Sequence, residues 1–151
     1  TYQNTGRQHG SGLEVEAIWD VSRNLRLSGN YAWQRSIDDA TNRDAGYAPH
    51  HHLYVRADWG FSNRWSLGGQ VNWVADRERT ATDTRPQIDD YATFDLTLRG
   101  ARVAGNWDVA VVAHNLFDAD AREPSLAPGT IANDWPLPGR SVFLEFQYRT
   151  K

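Results

Sequence analysis

The chain has 151 residues, of which 40% are hydrophobic and 23% charged, a balance that fits one ordered domain and excludes wholesale disorder. Its 16 basic and 19 acidic residues leave a net charge of -3, with no basic patch of the kind that phosphate neutralisation by a nucleic-acid binder requires. Cysteine is absent, which excludes disulfides and thiolate metal sites, and no apolar run approaches the roughly 18 to 20 residues of a membrane helix.

Residues 1–12, rich in Gly, Asn, Gln and Thr, read as a loop or the frayed end of a strand. Alternation starts at Leu13: Leu13, Val15, Ala17 and Trp19 share one face, with Glu14 and Glu16 opposite. A turn over residues 20–24 leads into a return strand carrying Leu25, Leu27, Gly29, Tyr31 and Trp33 against Arg26, Ser28, Asn30 and Gln34. Each arm has about nine residues, the length of a membrane-spanning strand. After a polar segment over residues 35–47, a second hairpin sets Leu53, Val55, Ala57 and Trp59 against Trp65, Leu67, Gly69, Val71, Trp73 and Ala75. The two hairpins align at an offset of forty, with Trp19 over Trp59, Leu27 over Leu67, Gly29 over Gly69 and Trp33 over Trp73. Each repeat holds two strands, not the four of a propeller blade.

A charged loop over residues 76–90 precedes a third hairpin. Ala92, Phe94, Leu96 and Leu98 lie opposite Thr93, Asp95, Thr97 and Arg99, and the return strand runs from Trp107 to Leu116. Its run Val109-Ala110-Val111-Val112 is apolar on both faces, so its facing stays open. A long loop over residues 118–137 ends at the last strand, where Val142, Leu144, Phe146 and Tyr148 form the apolar face and Ser141, Glu145, Gln147 and Arg149 fall mainly on the other. The reading is all-β: an antiparallel up-and-down meander of about 7–8 strands, with short turns at one end and long loops at the other.

Alternation alone fits a soluble barrel with its apolar face inside and a membrane barrel with that face outside. Loop asymmetry favours a transmembrane β-barrel segment with short periplasmic turns and long extracellular loops. Tryptophan placement agrees: Trp19, Trp59, Trp65 and Trp107 sit at the short-turn end, Trp33 and Trp73 at the long-loop end, as an aromatic girdle with indoles at both headgroup boundaries would have them. The eight residues from Trp65 to Trp73 span about 20 Å on a tilted strand, close to the apolar band of such barrels. On the opposite face Glu14, Glu16, Arg26, Asn30, Gln34, Arg56, Asp58, Gln70, Asn72, Asp95 and Arg99 would line a wet lumen.

Asn115-Leu116-Phe117-Asp118, followed about twenty residues later by Pro138-Gly139-Arg140 and a terminal amphipathic strand, resembles the C-terminal end of TonB-dependent outer-membrane receptors. Gly12-Leu13-Glu14-Val15-Glu16 and Ala48-Pro49-His50 resemble strand starts of the same family, so the likeness covers most of the chain. It implies that residues 1–151 are the C-terminal portion of a barrel of about 22 strands, with Val142 to Tyr148 as the closing strand. A plug domain would lie upstream of Thr1, an expectation shared by the absence of methionine, even at position 1. The resemblance further implies residence in the outer membrane of a Gram-negative bacterium, contact with its lipid and its barrel assembly machinery, and uptake of a scarce ligand, a siderophore, cobalamin or a glycan. An energy-transducing TonB-type partner would act through the N-terminal part. The alternatives are a small autonomous outer-membrane barrel with a structural or adhesive role and a soluble lipocalin-like ligand-binding barrel.

No cofactor or catalytic centre is expected. Of His50, His51 and His52, only His50 and His52 share a strand face, too few for a metal site and better read as residues at the start of a strand. The pairs Asp38-Asp39 and Asp89-Asp90 lack an EF-hand spacing and read as solvated loop charge. His9 and His114 have no evident companions. No hydrolase elbow, zincin, phosphate-loop or dinucleotide motif occurs, so an enzyme is not expected.

Overall fold

The computed structural model describes residues 6–125, 131 and 133–150; the expectations placed on residues 1–5, 126–130, Ala132 and Lys151 lie outside them. Seven strands form one antiparallel meander: β1 (Gln8–Ser22), β2 (Leu25–Asp38), β4 (Pro49–Trp59), β5 (Trp65–Arg77), β6 (Tyr91–Ala104), β7 (Trp107–His114) and β10 (Ser141–Tyr148). The two-residue β3 (Arg43–Asp44) pairs with the end of β2, and β8 (Arg122–Glu123) pairs with β9 (Trp135–Pro136) as a separate ribbon. The connections β1–β2, β4–β5 and β6–β7 are short. Those after β2, β5 and β7 are long, and all three lie at the opposite end of the sheet.

The ladder registers put every alternating set in line. Leu13 pairs with Trp33, Val55 with Val71, Leu67 with Leu98, Leu96 with Ala113, and Val111 with Leu144. They also fix the facing of β7: Val109, Val111 and Ala113 continue the apolar face, whereas Ala110 pairs with Arg99 and Glu145 on the wet face. Ile18 and Phe143 are large apolar exceptions on the wet side. Among the described residues the apolar face has no protein cover, and Leu144 is 66% and Trp19 63% exposed. An exposed apolar patch this large calls for a partner surface that covers it.

Strands β1 and β2 run further than the alternation indicated. Gln8 to Gly12 pair with Gln34 to Asp38, five rungs beyond the Leu13–Trp33 pair. Alternation records a difference between the environments of the two faces, and where both faces of a strand meet the same surroundings it disappears. The ladder continues while the pattern stops. At the other terminus β7 ends at His114, two residues sooner than expected, because Asn115 turns the chain at φ 44°.

Buried residues concentrate at the long-loop end, where Val74, Tyr91 and Ala121 pack together and Ile88 and Ala75 are also enclosed. The core therefore lies between the sheet end and the β7–β10 connection. That placement turns the long loops into a folded platform.

Candidate functional site

The wet face carries one linked polar series across four strands. Arg56 forks onto Asp58 at 2.6 and 2.7 Å and reaches the Gln70 amide oxygen at 3.0 Å, which also accepts from the Tyr54 hydroxyl. Gln70 Nε2 donates to Asp95 at 3.0 Å, and Asp95 accepts from His114 Nδ1 at 3.1 Å and from the Asn115 N–H at 2.9 Å. His114 thus has companions that its lone place in the sequence concealed. Arg99 pairs with Glu145 at 3.5 Å, beside a cavity of about 270 Å³ at the short-turn end.

The long-loop platform is organised by Asp134. One of its oxygens accepts from Arg79 Nη1 at 3.0 Å and from the Ser125 N–H at 3.0 Å; the other accepts from Arg79 Nη2. Arg85 spans Asp83 at 2.6 Å, the Ser125 hydroxyl at 2.6 Å and the Ser125 carbonyl at 2.9 Å, with Asp134 at 3.4 Å. The Arg79 and Asp134 side chains are 7% and 9% exposed. The hydrogen bonds from Arg79 hold the Asp134 carboxyl at about 2, against the upward pull of burial, and those from Arg85 do the same for Asp83, also at about 2. Arg77 and Tyr91 both bind Glu123, at 2.8 and 2.9 Å, tying β8 to the sheet. Apart from Asp83–Arg85 and Ser125–Asp134, these partners stand 32 to 55 residues apart, so no local motif announces the links between the loops. The signal available in the sequence was the choice of base: every basic residue but Lys151 is arginine or histidine, and a planar five-donor fork can serve several acceptors at once, as lysine cannot.

Two cavities open on this platform. One, of about 410 Å³, is bordered by Arg35, Arg43, Arg79 and Arg85 together with Asp44, Glu78 and Asp83; the other, of about 290 Å³, by Arg79, Arg85 and Arg122 together with Asp89, Asp120 and Asp134. Their chemistry is that of charge and hydrogen-bond recognition. His50 does not pair with His52 in a metal site: its Nε2 meets Asp44 at 2.7 Å and its Nδ1 meets Asp76 at 2.8 Å, on opposite sides of the ring, while His52 bonds Asn72 at 2.6 Å. Among the described residues no group of three donors converges on a point that would hold an ion.

The segments Asn115 to Asp118 and Pro138 to Arg140 meet in space. Asn115, 4% exposed, accepts from the Ala119 N–H at 2.9 Å and donates to the carbonyls of Ala119 at 2.9 Å and Pro138 at 3.3 Å. Asp118 accepts from the Arg140 N–H at 2.8 Å. Both stand at positive φ, 44° and 58°, a conformation Asn and Asp adopt more readily than other side-chain-bearing residues. A Cβ on Gly139 would come within 3.0 Å of the Asp118 carboxylate. Leu116 N donates to Phe94 O at 2.7 Å, and Phe117 packs on Phe94 with ring centroids 5.6 Å apart. The motif is a clasp that sets the start of β10. In Asn115→Ala the exposed Pro138 carbonyl and the Ala119 N–H lose this partner, while the Ala119 carbonyl keeps the Ala121 N–H, so about 1–2 kcal/mol should be lost, read as a lowered denaturant midpoint of the detergent-solubilised protein. An unchanged midpoint would mean that water takes over the amide's bonds.

The six strand tryptophans all fall on the apolar side. Trp107 packs on Tyr148 at 5.1 Å and Trp59 on Phe61 at 5.4 Å at the short-turn end. At the other end Trp73 stacks on His51, which stacks on Tyr31 and bonds its hydroxyl at 2.7 Å. Trp135, the seventh, lies on β9 in the loop platform.

Residues 1–116 match the family described as TonB dependent receptor-like, beta-barrel. The chain is 30% identical over 127 residues to the ferric-pyoverdine M114 receptor PbuA of Pseudomonas sp. (strain M114), covering 76% of this chain and 15% of the relative. It is 28% identical over 151 residues to the metal-pseudopaline receptor CntO of Pseudomonas aeruginosa (strain PAO1), covering 91% and 20%. Among solved structures, the copper transporter OprC superposes with a TM-score of 0.74 at 21% identity, over 93% of this chain and 23% of that one. The ferripyoverdine receptor of the outer membrane of Pseudomonas aeruginosa superposes with a TM-score of 0.75 at 15% identity, over 95% and 20%. The chain thus spans at most a fifth of the length of these sequence relatives. With the match to the family over residues 1–116 and the meander described above, the chain belongs to the TonB-dependent receptor β-barrel family.

Proposed function

We propose that residues 1–151 form the C-terminal part of the barrel wall of an outer-membrane receptor that takes up a scarce metal chelate, driven by a TonB-type energy-transducing protein. The observation that carries this is the division of the sheet: one face apolar and uncovered by the described residues, the other a linked polar lining, with cavities edged by arginines and carboxylates at the long-loop end. Lipid would contact the first face, the plug supplied by preceding sequence the second, and ligand the loop platform. Trp19, Trp33, Trp59, Trp65, Trp73 and Trp107 would form the two girdles, and β10 would close the barrel and be read by the assembly machinery. A metal chelate is preferred to cobalamin or a glycan because the relatives PbuA and CntO are named receptors for ferric pyoverdine and metal pseudopaline. The role is that of receptor and transporter, not of enzyme.

The test is uptake of radiolabelled iron, supplied on a panel of siderophores, by an iron-starved strain lacking the gene. Loss of uptake of one chelate, restored by the gene only while the energy-transducing protein is present, is expected; undiminished uptake of every chelate would overturn the reading. Brominated lipids give an independent check, since all the tryptophans but Trp135 should be quenched in the reconstituted protein, and a folded sample without quenching would remove the membrane assignment.

A further inference from the structure

His50 lies one residue outside the Trp33–His51 rung, beyond the girdle level, at the meeting point of two loops. Its side chain is 13% exposed, and each ring nitrogen faces a carboxylate oxygen. A carboxylate can only accept, and a neutral imidazole has one N–H. Two such contacts therefore require the imidazolium form.

The partners belong to different elements. Asp44 is on β3, within the β2–β4 connection, and its side chain is 14% exposed; Asp76 is on β5, half exposed and anchored in the sheet. The β2–β4 connection also rests directly on the β5–β6 connection. Tyr47 N donates to Glu78 O at 2.9 Å, and Gly46, at φ 82°, sits so close that a Cβ would come within 2.5 Å of Thr80 N. Other charges around the ring are fixed or distant: Arg79 and Arg85 are engaged by Asp83 and Asp134, Arg43 and Arg35 border the adjoining cavity from β3 and β2 with Glu78 across from them, and Asp90 is held by the Asp76 N–H.

We propose that His50 is a proton-operated latch: as imidazolium it holds β3 against β5 and closes the β2–β4 connection over the neighbouring cavity, and on losing a proton it releases that connection. A neutral ring leaves one carboxylate facing a lone pair. Asp76 is held in place by the pairing of its neighbours Ala75 and Arg77 with His51 and Pro49 and by its own N–H, which donates to Asp90 at 2.8 Å. Asp44 pairs with Ile37 at the end of β2 and accepts the Gly46 N–H at 2.8 Å, so it moves with the β2–β4 connection and reaches water by that connection lifting away from β5. Burial alone would lower the pKa of His50, but the bonds and charges of Asp44 and Asp76 outweigh it and leave it raised. A raised folded value means that the closed state is fully favoured below the ordinary imidazole range and is lost as pH rises through the folded value. The proposal stands apart from the uptake reading, since it concerns only the two connections.

Spin labels on Thr41→Cys and Thr84→Cys in the complete receptor, in detergent, report the distance between the connections, and this segment has no cysteine of its own. At about pH 5.5 one short distance is expected. Above the transition a longer population should grow against it about tenfold per pH unit, the slope of a single proton. In His50→Gln the pH response should vanish. An unlabelled-site-independent overturning result is a distance distribution unchanged between about pH 5.5 and pH 9 with His50 in place. Persistence of the response in His50→Gln would assign it to another group and equally overturn the proposal.

Discussion

Replacing Asp134 by alanine should release the loop platform while leaving the sheet assembled. Asp134 is the shared acceptor of two guanidinium groups and a backbone N–H, in surroundings where Arg79 has 7% of its side chain exposed. Removing one member of a buried ion pair costs about 3–5 kcal/mol, because the remaining charge keeps its desolvation penalty without its partner. Hydrogen exchange at the backbone of residues 78–90, 121–125 and 133–137 should accelerate roughly a hundredfold or more, with β4 to β6 unaffected. Asp134→Asn, which keeps one acceptor oxygen, should fall between. Unchanged protection in the alanine variant would show that β8, β9 and the Glu123 contacts hold the platform alone.

The same site predicts an acid limit. Asp134 and Asp83 both sit at about 2, below the ordinary carboxylate value of about 4. A depressed folded value means the contribution is complete above the unfolded value and declines as pH falls from about 4 through about 2. The platform should therefore be insensitive to pH between neutrality and about pH 5, and loosen below about pH 4. His50 works in the opposite sense. One loop end thus carries two titrations: an ion cluster that acid dissolves and a latch that base releases.

The seven-strand meander was legible because its period of two reports a real difference between the two faces. Where that difference vanishes, so does the signal. Ala110 and Val112 on the wet face gave β7 no polar partner pattern, and only the pairing with Leu96, Leu98 and β10 settled its direction. Gln8 to Gly12 are paired but wet on both faces, and looked like loop. The site at the loop end was hidden for another reason: Arg79 and Asp134, 55 residues apart, are joined by folding and by no spacing. The Asn115-to-Asp118 and Pro138-to-Arg140 segments could be associated through resemblance alone. Their physical link, a buried amide and a carboxylate capping the start of β10, is visible only in three dimensions.

Leu96→Arg and Thr97→Arg separate lipid from water on the two faces of one strand. The two residues are neighbours, both half-buried, and point oppositely: Leu96 pairs with Gly69 and Ala113, and Thr97 with Gly68 and Val112. Gly69 is four residues from both Trp65 and Trp73, which puts Leu96 at the middle of the band between the tryptophan levels. An arginine facing lipid at that depth costs about 2–4 kcal/mol, since its charge must be thinned for or hydrated through hydrocarbon. One facing the polar lining meets water, Gln70 and Asp95, and should cost under about 1 kcal/mol. The difference should appear as a lower yield of folded, heat-modifiable barrel and a lower denaturant midpoint for Leu96→Arg alone. Protein burial does not account for that asymmetry, because both positions are half-buried. If instead both variants fold equally well, the apolar face is not solvated by lipid, and if Thr97→Arg is the costly one, that face is turned inward as in a soluble barrel.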